Sequence, residues 1–464
     1  MASGQVPLSP TSSKRSRSRD SNRSAATSSL STPAASTPVP TPSVSTSSLI
    51  IPSSTPGTPL HGDAYVPDGT PYPAFLRLSR GGRHAELHTR WTHLEMAQLE
   101  RLRDGVQAHA HAHASHPPYE YARCNTEEYA PRNRYANVDP YQANRVKLQV
   151  PDGHSDYINA SPVVLVTTKS HIPLKFIATQ GPKSDSWSHI WRMVWRENQN
   201  PAVVVMLTQT YETGREKCYP YYPQSPSNPD MRVNEHDEFQ DGFVHNLHLA
   251  SLRQDQEART QVRELDMTAE EGDESRKIWH LLFAGWPDFS VPEGADKAAL
   301  LRLVDISREK NGDNSTNPRI VHCSAGIGRS GTFIALDWLL QELEEGSLDD
   351  TPDNMDPVVQ VIGTLRDQRA GMVQSKNQFL FLYDALRERW RERWISLHPT
   401  QAADLGITSK KSTPEVEPAL KRQKSMRADD DSQQYVSDAA SNDARAALEA
   451  ELMDADMSYE KGKT

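Results

Sequence analysis

The sequence has few cysteines, no long apolar run and little excess charge. Its three cysteines, Cys124, Cys218 and Cys323, are too few and odd in number for a disulfide framework, so we expect a reducing compartment. No apolar stretch reaches the roughly 18 residues of a transmembrane span, and no signal-peptide core is visible near the N-terminus. The net charge of −10 gives no case for nucleic-acid binding. We therefore expect a soluble intracellular protein that binds neither membrane nor nucleic acid.

Both ends of the chain are poor in aromatic residues. Residues 1–75 are mostly Ser, Thr, Pro and Ala, and residues 399–464 are polar and charged. Neither end can bury enough apolar surface to offset the entropy lost on ordering, so both are predicted to be disordered tails. Residues 80–398 contain all nine tryptophans and are predicted to form one domain with a large core.

The two tails carry motifs that leave alternatives open. Thr-Pro pairs in the first tail indicate either a low-complexity solvated segment or a target of proline-directed kinases. These pairs begin at Thr32, Thr37, Thr41, Thr55 and Thr58. In the second tail, basic groups at 410–411 and 421–424 resemble a two-part nuclear import signal, and a solvated charged tail explains them equally well. We expect a cytoplasmic protein and leave a nuclear location open.

Hydrophobic periodicity predicts strands in the middle of the domain and helices towards its end. Residues 91–106 have apolar side chains at helical spacing, and the histidine-rich stretch after them is predicted to be a polar linker without a metal. Short apolar runs at residues 203–207 and 319–322 predict strands covered on both faces, and residues 278–283 are also strand-like. Further helices are predicted over about 294–310, 330–345, 357–369 and 376–394. This pattern indicates an α/β or α+β domain with a mixed sheet.

Residues 321–331, VHCSAGIGRSG, join an apolar strand, a glycine-rich turn and a helix start, and such a junction is an anion site. One interpretation is the dinucleotide fingerprint GxGxxG. It requires an acidic residue about 20 positions later, at the end of a second strand. The acidic residues found there, Glu345 and Asp349, lie at the end of a predicted helix and in a loop instead. A dinucleotide site therefore explains the stretch poorly.

The other interpretation makes Cys323 a nucleophile. Backbone N–H groups and a following helix start lower the pKa of a thiol, and the thiolate attacks phosphorus. Arg329 supplies a planar fork for two phosphate oxygens, and Ser330 can donate its hydroxyl to the departing sulfur. An inert core thiol is the alternative for a lone cysteine, but His322 and the glycines argue against it. The N–H groups around the phosphate would belong to Ser324, Ala325, Gly326, Ile327, Gly328 and Arg329.

The motif HCSAGIGRSG resembles the signature loop of the protein tyrosine phosphatases, a cysteine-dependent and phosphotyrosine-specific family. The resemblance continues through separated motifs over about residues 133–386, in the order that the family has. It implies one phosphatase-like α/β (α+β) domain with a central twisted mixed sheet flanked by helices. It also implies a non-receptor, intracellular enzyme that hydrolyses phosphotyrosine in proteins through a phosphocysteine intermediate on Cys323.

The resemblance assigns the remaining steps to two further motifs. In GWPDF, Asp288 is the expected general acid and then base, and Trp286 is expected to act as hinge and hydrophobic seat of a mobile loop. In GMVQSKNQ, Gln374 is expected to position the water that hydrolyses the intermediate, with Gln378 as its partner. Both glutamines would also contact the substrate.

Tyrosine selectivity requires a deep pocket with an aromatic wall. The motif RNRY resembles the recognition loop of the family, and its Tyr135 is expected to stack on the phenyl ring of the substrate. Phosphoserine would be too short to reach Cys323 from this rim. Asn137 stands where many relatives have Asp, which puts the flanking-residue preference of the family in doubt for this chain.

The resemblance also implies supporting residues around the pocket. These are Glu212 paired with Arg329, Lys217 near Asp288, Gly371 at the pocket rim, and Arg366 as a receiver of a second phosphate. No metal or cofactor is required, because loop amides and Arg329 supply the positive field. The expected partners are phosphotyrosyl proteins, with mitogen-activated protein kinases as a hypothesis, and the protein is expected to be a monomer.

Two other functions compete with hydrolysis of phosphotyrosine. A binding module without turnover would have lost Cys323, Arg329 or Asp288, and all three are present. A dual-specificity phosphatase would share the Cys-x5-Arg motif but lack the recognition loop of Tyr135. The sequence favours the tyrosine phosphatase over both.

Overall fold

The computed structural model describes residues 69–77, 83–111, 120–286 and 290–407. Across these ranges, none of the helices combines the length and apolar character that crossing a membrane requires. The Thr-Pro pairs and basic groups of the predicted tails lie outside the described residues.

The described residues contain ten β-strands. They are β1 (Ala160–Val166), β2 (Pro173–Thr179), β3 (Ala202–Met206), β4 (Tyr211–Glu212), β5 (Arg215–Glu216), β6 (Asp230–Val233), β7 (His245–Asp255), β8 (Thr260–Ala269), β9 (Ser275–Phe283) and β10 (Arg319–His322). Eight of them form one sheet in the order β1-β2-β10-β3-β9-β8-β7-β6, and β4 and β5 form a hairpin. The central strands β2, β10, β3 and β9 are parallel, and the outer pairs are antiparallel. The predicted mixed sheet is confirmed.

Seven α-helices surround this sheet in the described part of the chain. They are α1 (Arg83–His111), α2 (Ser188–Glu197), α3 (Ala295–Asn311), α4 (Gly328–Glu344), α5 (Pro357–Gln368), α6 (Lys376–Leu397) and α7 (Pro399–Asp404). The five helices predicted from periodicity are confirmed as α1, α3, α4, α5 and α6. The helix α1 is longer than predicted and continues through part of the histidine-rich stretch that was expected to be a linker.

The sheet separates two hydrophobic cores, which explains the continuous apolar sequence of its central strands. Val203 and Val205 of β3 face a core built with α3, α4, α5 and α6. Val204 and Met206, pointing the other way, face a core built with α2. Every residue of β3 is therefore buried. The prediction of strands covered on both faces is confirmed here.

The folded region extends beyond both predicted domain boundaries. Before the first boundary, residue 80, Tyr72 is buried and its ring lies 5.3 Å from that of Trp390 on α6. Arg387 of α6 also donates a hydrogen bond to the carbonyl oxygen of Leu76. After the second boundary, residue 398, the short helix α7 buries Ala402. These few apolar side chains find partners on α6 or in the main core, which composition averaged over a whole tail does not reveal.

The parallel strands end at one edge of the sheet, and this position determines where the site lies. Strands β3, β9 and β10 run in the same direction, so the loops that follow Met206, Phe283 and His322 meet at their carboxyl ends. Ligands of parallel sheets bind at this edge, and the Cys-x5-Arg loop follows the central strand β10.

Candidate active site

The signature loop (residues 323–329) curls around the sulfur of Cys323. The N–H of Gly326 points to that sulfur at 3.2 Å. Gly326 has a φ of 75°, and a Cβ atom there would lie 2.2 Å from the carbonyl oxygen of Thr179. Only glycine fits both the left-handed backbone and this close approach. The tight turn therefore depends on the residue type that the motif supplies.

The carbonyl groups of this loop are held from below by Arg369, which sequence reasoning missed. Arg369 is fully buried and donates to the carbonyl oxygens of Gly326 at 3.0 Å and Ala325 at 3.3 Å. It also donates to Oδ1 of Asn159 at 2.7 Å. Burial lowers the pKa of Arg369 to about 10, so the guanidinium stays charged at neutral pH. Arg369 therefore fixes the carbonyl groups of two consecutive residues of the loop.

A second buried anchor runs through His322. Its Nδ1 lies 3.1 Å from the carbonyl oxygen of Cys323, and its Nε2 lies 2.7 Å from the hydroxyl of Tyr221. The same hydroxyl lies 3.0 Å from Nε2 of His280. Burial lowers the pKa of His322 to about 4 and that of His280 well below its usual range, so both rings are neutral.

The proton positions in this series of hydrogen bonds follow from the carbonyl group at one end of it. A carbonyl only accepts, so Nδ1 of His322 carries the proton and its Nε2 accepts from Tyr221. The hydroxyl of Tyr221 then accepts from the Nε2–H of His280. Tyr221 and His280 come from distant segments, and the sequence offered no signal for them beyond polar residues within apolar strands.

Arg329 is aimed by a carboxylate. Its two terminal nitrogens donate to the two oxygens of Glu212 at 2.7 and 2.8 Å, and Nη1 also donates to the carbonyl oxygen of Leu207. Glu212 is fixed in turn by the hydroxyl of Thr208 and the backbone N–H of Gln209. The bidentate pair sets the plane of the guanidinium at the start of α4.

Ser330 and the two other cysteines, Cys124 and Cys218, are buried. The hydroxyl of Ser330 is buried and has no hydrogen-bond partner among the described residues. Burial raises the pKa of Cys124 to about 12, and burial also raises that of Cys218. Both thiols are therefore protonated at neutral pH.

The recognition loop is joined to the signature loop by side-chain hydrogen bonds. Ser324 donates its hydroxyl to the carbonyl oxygen of Lys217 at 2.9 Å, so the hydroxyl of Tyr135 donates to Ser324 at 2.8 Å. Tyr135 remains 36% exposed, which leaves its ring available to a ligand. Arg134 fixes the loop by donating to the carbonyl oxygens of Gly181 and Pro182.

The two glutamines lie beside the signature loop. A Cβ atom on Gly328 would lie 3.1 Å from side-chain atoms of both Gln374 and Gln378. The side-chain oxygen of Gln378 accepts from the backbone N–H groups of Gln374 and Ser375, in a capping box that begins α6. We call residues 371–375 the glutamine loop.

The predicted general acid lies outside the described residues, since residues 287–289 are not part of them. Trp286, just before this gap, is buried and donates its indole N–H to the carbonyl oxygen of Ser290, just after it. Its ring packs near that of Phe381 on α6. The expected contact between Lys217 and Asp288 therefore stays a prediction.

Asn137, Gly371 and Arg366 are the other residues expected at the site, and they differ in their exposure to solvent. Asn137 is exposed at the rim, and its carbonyl oxygen accepts from Arg123. Gly371 is buried, and its N–H donates to Gln98 of α1. The expectation that Arg366 receives a second phosphate is wrong, because its side chain is fully buried and its guanidinium donates to groups of α1 and the glutamine loop.

Comparisons with known proteins identify the family of this chain. The family model described as protein-tyrosine phosphatase matches residues 129–388, more than half of the chain. Tyrosine-protein phosphatase 1 of Saccharomyces cerevisiae is 35% identical over 279 residues, covering 55% of this chain and 81% of that protein. Tyrosine-protein phosphatase 2 of Schizosaccharomyces pombe is 35% identical over 258 residues, which is 55% of this chain but 33% of that longer protein.

Two further similarities widen the comparison. The human protein named phosphatidylinositol phosphatase PTPRQ is 35% identical over 259 residues, covering 55% of this chain and 10% of its own length. A solved structure on the recognition of HER2 tyrosine phosphorylation sites by PTPN18 has a TM-score of 0.52 and 27% identity. It covers 66% of this chain and 96% of that one. The chain belongs to the protein-tyrosine phosphatase family.

Proposed function

We propose that this protein hydrolyses phosphotyrosine in proteins through a phosphocysteine intermediate on Cys323. The observation that carries the proposal is the sulfur of Cys323 beneath a loop amide, with the guanidinium of Arg329 locked by Glu212 at the same loop. Such a loop offers backbone donors and a planar cation to the three oxygens of a phosphoryl group. The membership in the phosphatase family supports the same reaction.

In the first step, the thiolate of Cys323 attacks phosphorus and the bond to the tyrosine oxygen breaks. Asp288 protonates the leaving phenolate, and Arg329 follows the phosphate oxygens as the centre inverts. In the second step, a water held by Gln374 attacks the phosphocysteine. Asp288 takes the proton of that water, and Ser330 donates its hydroxyl to the departing sulfur.

Selectivity for tyrosine follows from the recognition loop. The hydrogen bond between Tyr135 and Ser324 supports a wall above the sulfur, against which an aryl phosphate can stack. An alkyl phosphate such as phosphoserine cannot span this depth. The similarity to a protein named for phosphatidylinositol phosphatase activity makes a phosphoinositide the useful control substrate.

The test is release of inorganic phosphate from a phosphotyrosyl peptide, a phosphoseryl peptide of the same sequence and a short-chain phosphoinositide. We expect turnover of the first alone, and loss of that turnover in Cys323→Ser with binding retained. Activity that survives in Cys323→Ser would rule out the mechanism. Comparable turnover of the phosphoinositide would instead redirect the substrate assignment.

The physiological substrate is the finer part of the proposal. We propose activation-loop phosphotyrosines of mitogen-activated protein kinases, acted on by a monomeric enzyme in the cytoplasm with access to the nucleus. The support is the Thr-Pro-rich N-terminal tail and the basic groups near the C-terminus. Asp288→Ala should retain bound substrate. The proteins that co-purify with this variant, and not with the same variant pre-treated with vanadate to block the thiolate of Cys323, identify it.

A further inference from the structure

Helix α1 contacts the glutamine loop through one face. Leu94, Glu95 and Gln98 lie on neighbouring turns of α1, and each reaches the segment that begins at Arg366. The side-chain oxygen of Gln98 accepts the N–H of Gly371 at 3.1 Å. This helix precedes residues 129–388, the part of the chain that the family model matches.

Arg366 joins the helix to the loop. Its Nη1 donates to the carbonyl oxygen of Leu94 at 2.9 Å, and its Nη2 donates to Oε1 of Glu95 at 2.8 Å. On the other side, its Nε donates to the carbonyl oxygen of Met372 and its Nη2 to that of Val373, both at 3.0 Å. One buried guanidinium therefore holds two consecutive loop carbonyls against α1.

The loop needs this support because its backbone is strained. Val373 has a φ of 57°, a left-handed conformation that a β-branched residue rarely adopts. Its N–H donates to the carbonyl oxygen of Ile327 in the signature loop at 3.2 Å, and the next residue is Gln374. A strained backbone persists only where its surroundings fix it, so the position of Gln374 depends on the groups that hold Val373.

We propose that the ion pair between Glu95 of α1 and Arg366 of α5 is a positioning device for hydrolysis of the phosphocysteine, and this inference rests on the proposed function. In that step the oxygen of water forms a bond to phosphorus, the bond between sulfur and phosphorus breaks, and the proton of the water passes to Asp288. Gln374 must orient this water. In the first step, attack by Cys323, Gln374 is expected only to contact the substrate and takes no part in bond making or proton transfer. Loosening α1 therefore slows the second step selectively.

The experiment uses the full chain and para-nitrophenyl phosphate. Rapid mixing measures the burst of para-nitrophenolate, and acid quenching measures the fraction of enzyme that carries covalent phosphate. In Glu95→Ala we expect the burst rate to stay within about twofold of wild type and the hydrolysis rate per active site to fall about 3- to 10-fold, because a small misplacement of a catalytic group is costly. The phosphoenzyme fraction should rise accordingly.

Three variants accompany Glu95→Ala. Glu100→Ala removes an exposed carboxylate from the same helix and should leave both rates unchanged. Glu95→Gln keeps an acceptor for Arg366 and should restore most of the hydrolysis rate. Arg366→Lys replaces the fork by a single ammonium and should show the same selective loss as Glu95→Ala, or a larger one.

The outcomes separate the inference from the proposed function. Equal behaviour of Glu95→Ala and Glu100→Ala would overturn the inference, and so would a parallel fall of both rates in Glu95→Ala, since that marks a merely structural role. The burst amplitude counts folded active sites, so a partly unfolded variant still gives both rates. Turnover of para-nitrophenyl phosphate that survives in Cys323→Ser would overturn the proposed mechanism itself, and the inference with it.

Discussion

The signature loop and the glutamine loop meet at the same site but are held by different means. The signature loop is anchored by the buried groups beneath it, Arg369 and His322, which bind its carbonyl oxygens. The glutamine loop is anchored by α1, through Arg366 and Gln98. Both anchors consist of buried donors and acceptors that bind loop backbone.

The difference lies in what each anchor depends on. Arg369 and His322 belong to the matched region and are fully buried, so the anchor of the signature loop is part of the core. The anchor of the glutamine loop comes from a helix at the edge of the fold, whose Glu95 is partly exposed. The two proposed chemical steps should therefore respond differently to mutation. We expect the rate of the first step to fall in variants that also lower the free energy of unfolding, and the rate of the second step to fall in variants that do not.

Arg369→Met gives the largest expected effect. It leaves the carbonyl groups of Ala325 and Gly326 and the amide of Asn159 buried without their donor, so we expect the unfolding free energy to fall by about 3 kcal/mol. Urea unfolding measures this loss. Both chemical rates should fall together, in contrast to Glu95→Ala. Arg389→Met, at an exposed position of α6, is the control and should change stability by less than about 0.5 kcal/mol.

Glu212→Gln tests how Glu212 orients the guanidinium of Arg329, and it leaves the buried anchors of the signature loop, Arg369 and His322, unchanged. Arg329 loses the bidentate partner that fixes its plane, so kcat for a phosphotyrosyl peptide should fall about tenfold. The neutral side chain also leaves more positive charge at the loop, so KM should change by less than about threefold. Glu235→Gln, at an exposed position, is the matched control. An unchanged kcat in Glu212→Gln would show that the charge of Glu212 is not needed to orient Arg329.

The same contrast explains how much of the site the sequence predicts. The signature loop is one continuous segment, so its nucleophile, its arginine and its glycines are visible in a single motif, and Glu212 lies in a second one. The mixed sheet and five helices follow from hydrophobic periodicity for the same local reason.

The groups that anchor these motifs are not local, and sequence reasoning missed them. Arg369 and Arg366 are three residues apart near the end of α5, and nothing in their spacing tells which one supports the loop or that both are buried. The family resemblance implied a phosphate site at Arg366, but α1 covers this side chain. Whether Arg366 is covered depends on the packing of α1, a helix that lies outside the region of the motifs.

Tyr221→Phe breaks the buried chain under the signature loop at its centre. His322 and His280 each lose a hydrogen-bond partner, so we expect the unfolding free energy to fall by about 1–2 kcal/mol. Tyr222→Phe changes the neighbouring buried tyrosine, whose ring packs at 88° to that of Tyr221, and should cost less. Equal losses in the two variants would indicate that ring packing, not the hydrogen-bonded chain, supports His322.

The smallest expected effect is a dependence of stability on pH that comes from the same chain. Burial lowers the pKa of His322 to about 4 in the folded state, below its usual value of about 6.5, and His280 is lowered as well. Between these values the unfolded chain binds protons that the folded chain does not, so the stability present above pH 6.5 is lost as the pH falls towards 4.

From pH 7 to pH 6, each such histidine should lower the unfolding free energy by about 0.7 kcal/mol. Asp356, whose pKa burial raises, acts in the opposite direction, so the comparison must be between variants and not between absolute slopes. Urea unfolding of wild type and His280→Gln at the two pH values isolates one histidine: the variant should lose about 0.7 kcal/mol less. Parallel losses would mean that His280 titrates normally in the folded protein, and the chain of donors beneath Cys323 would then have to run in another direction.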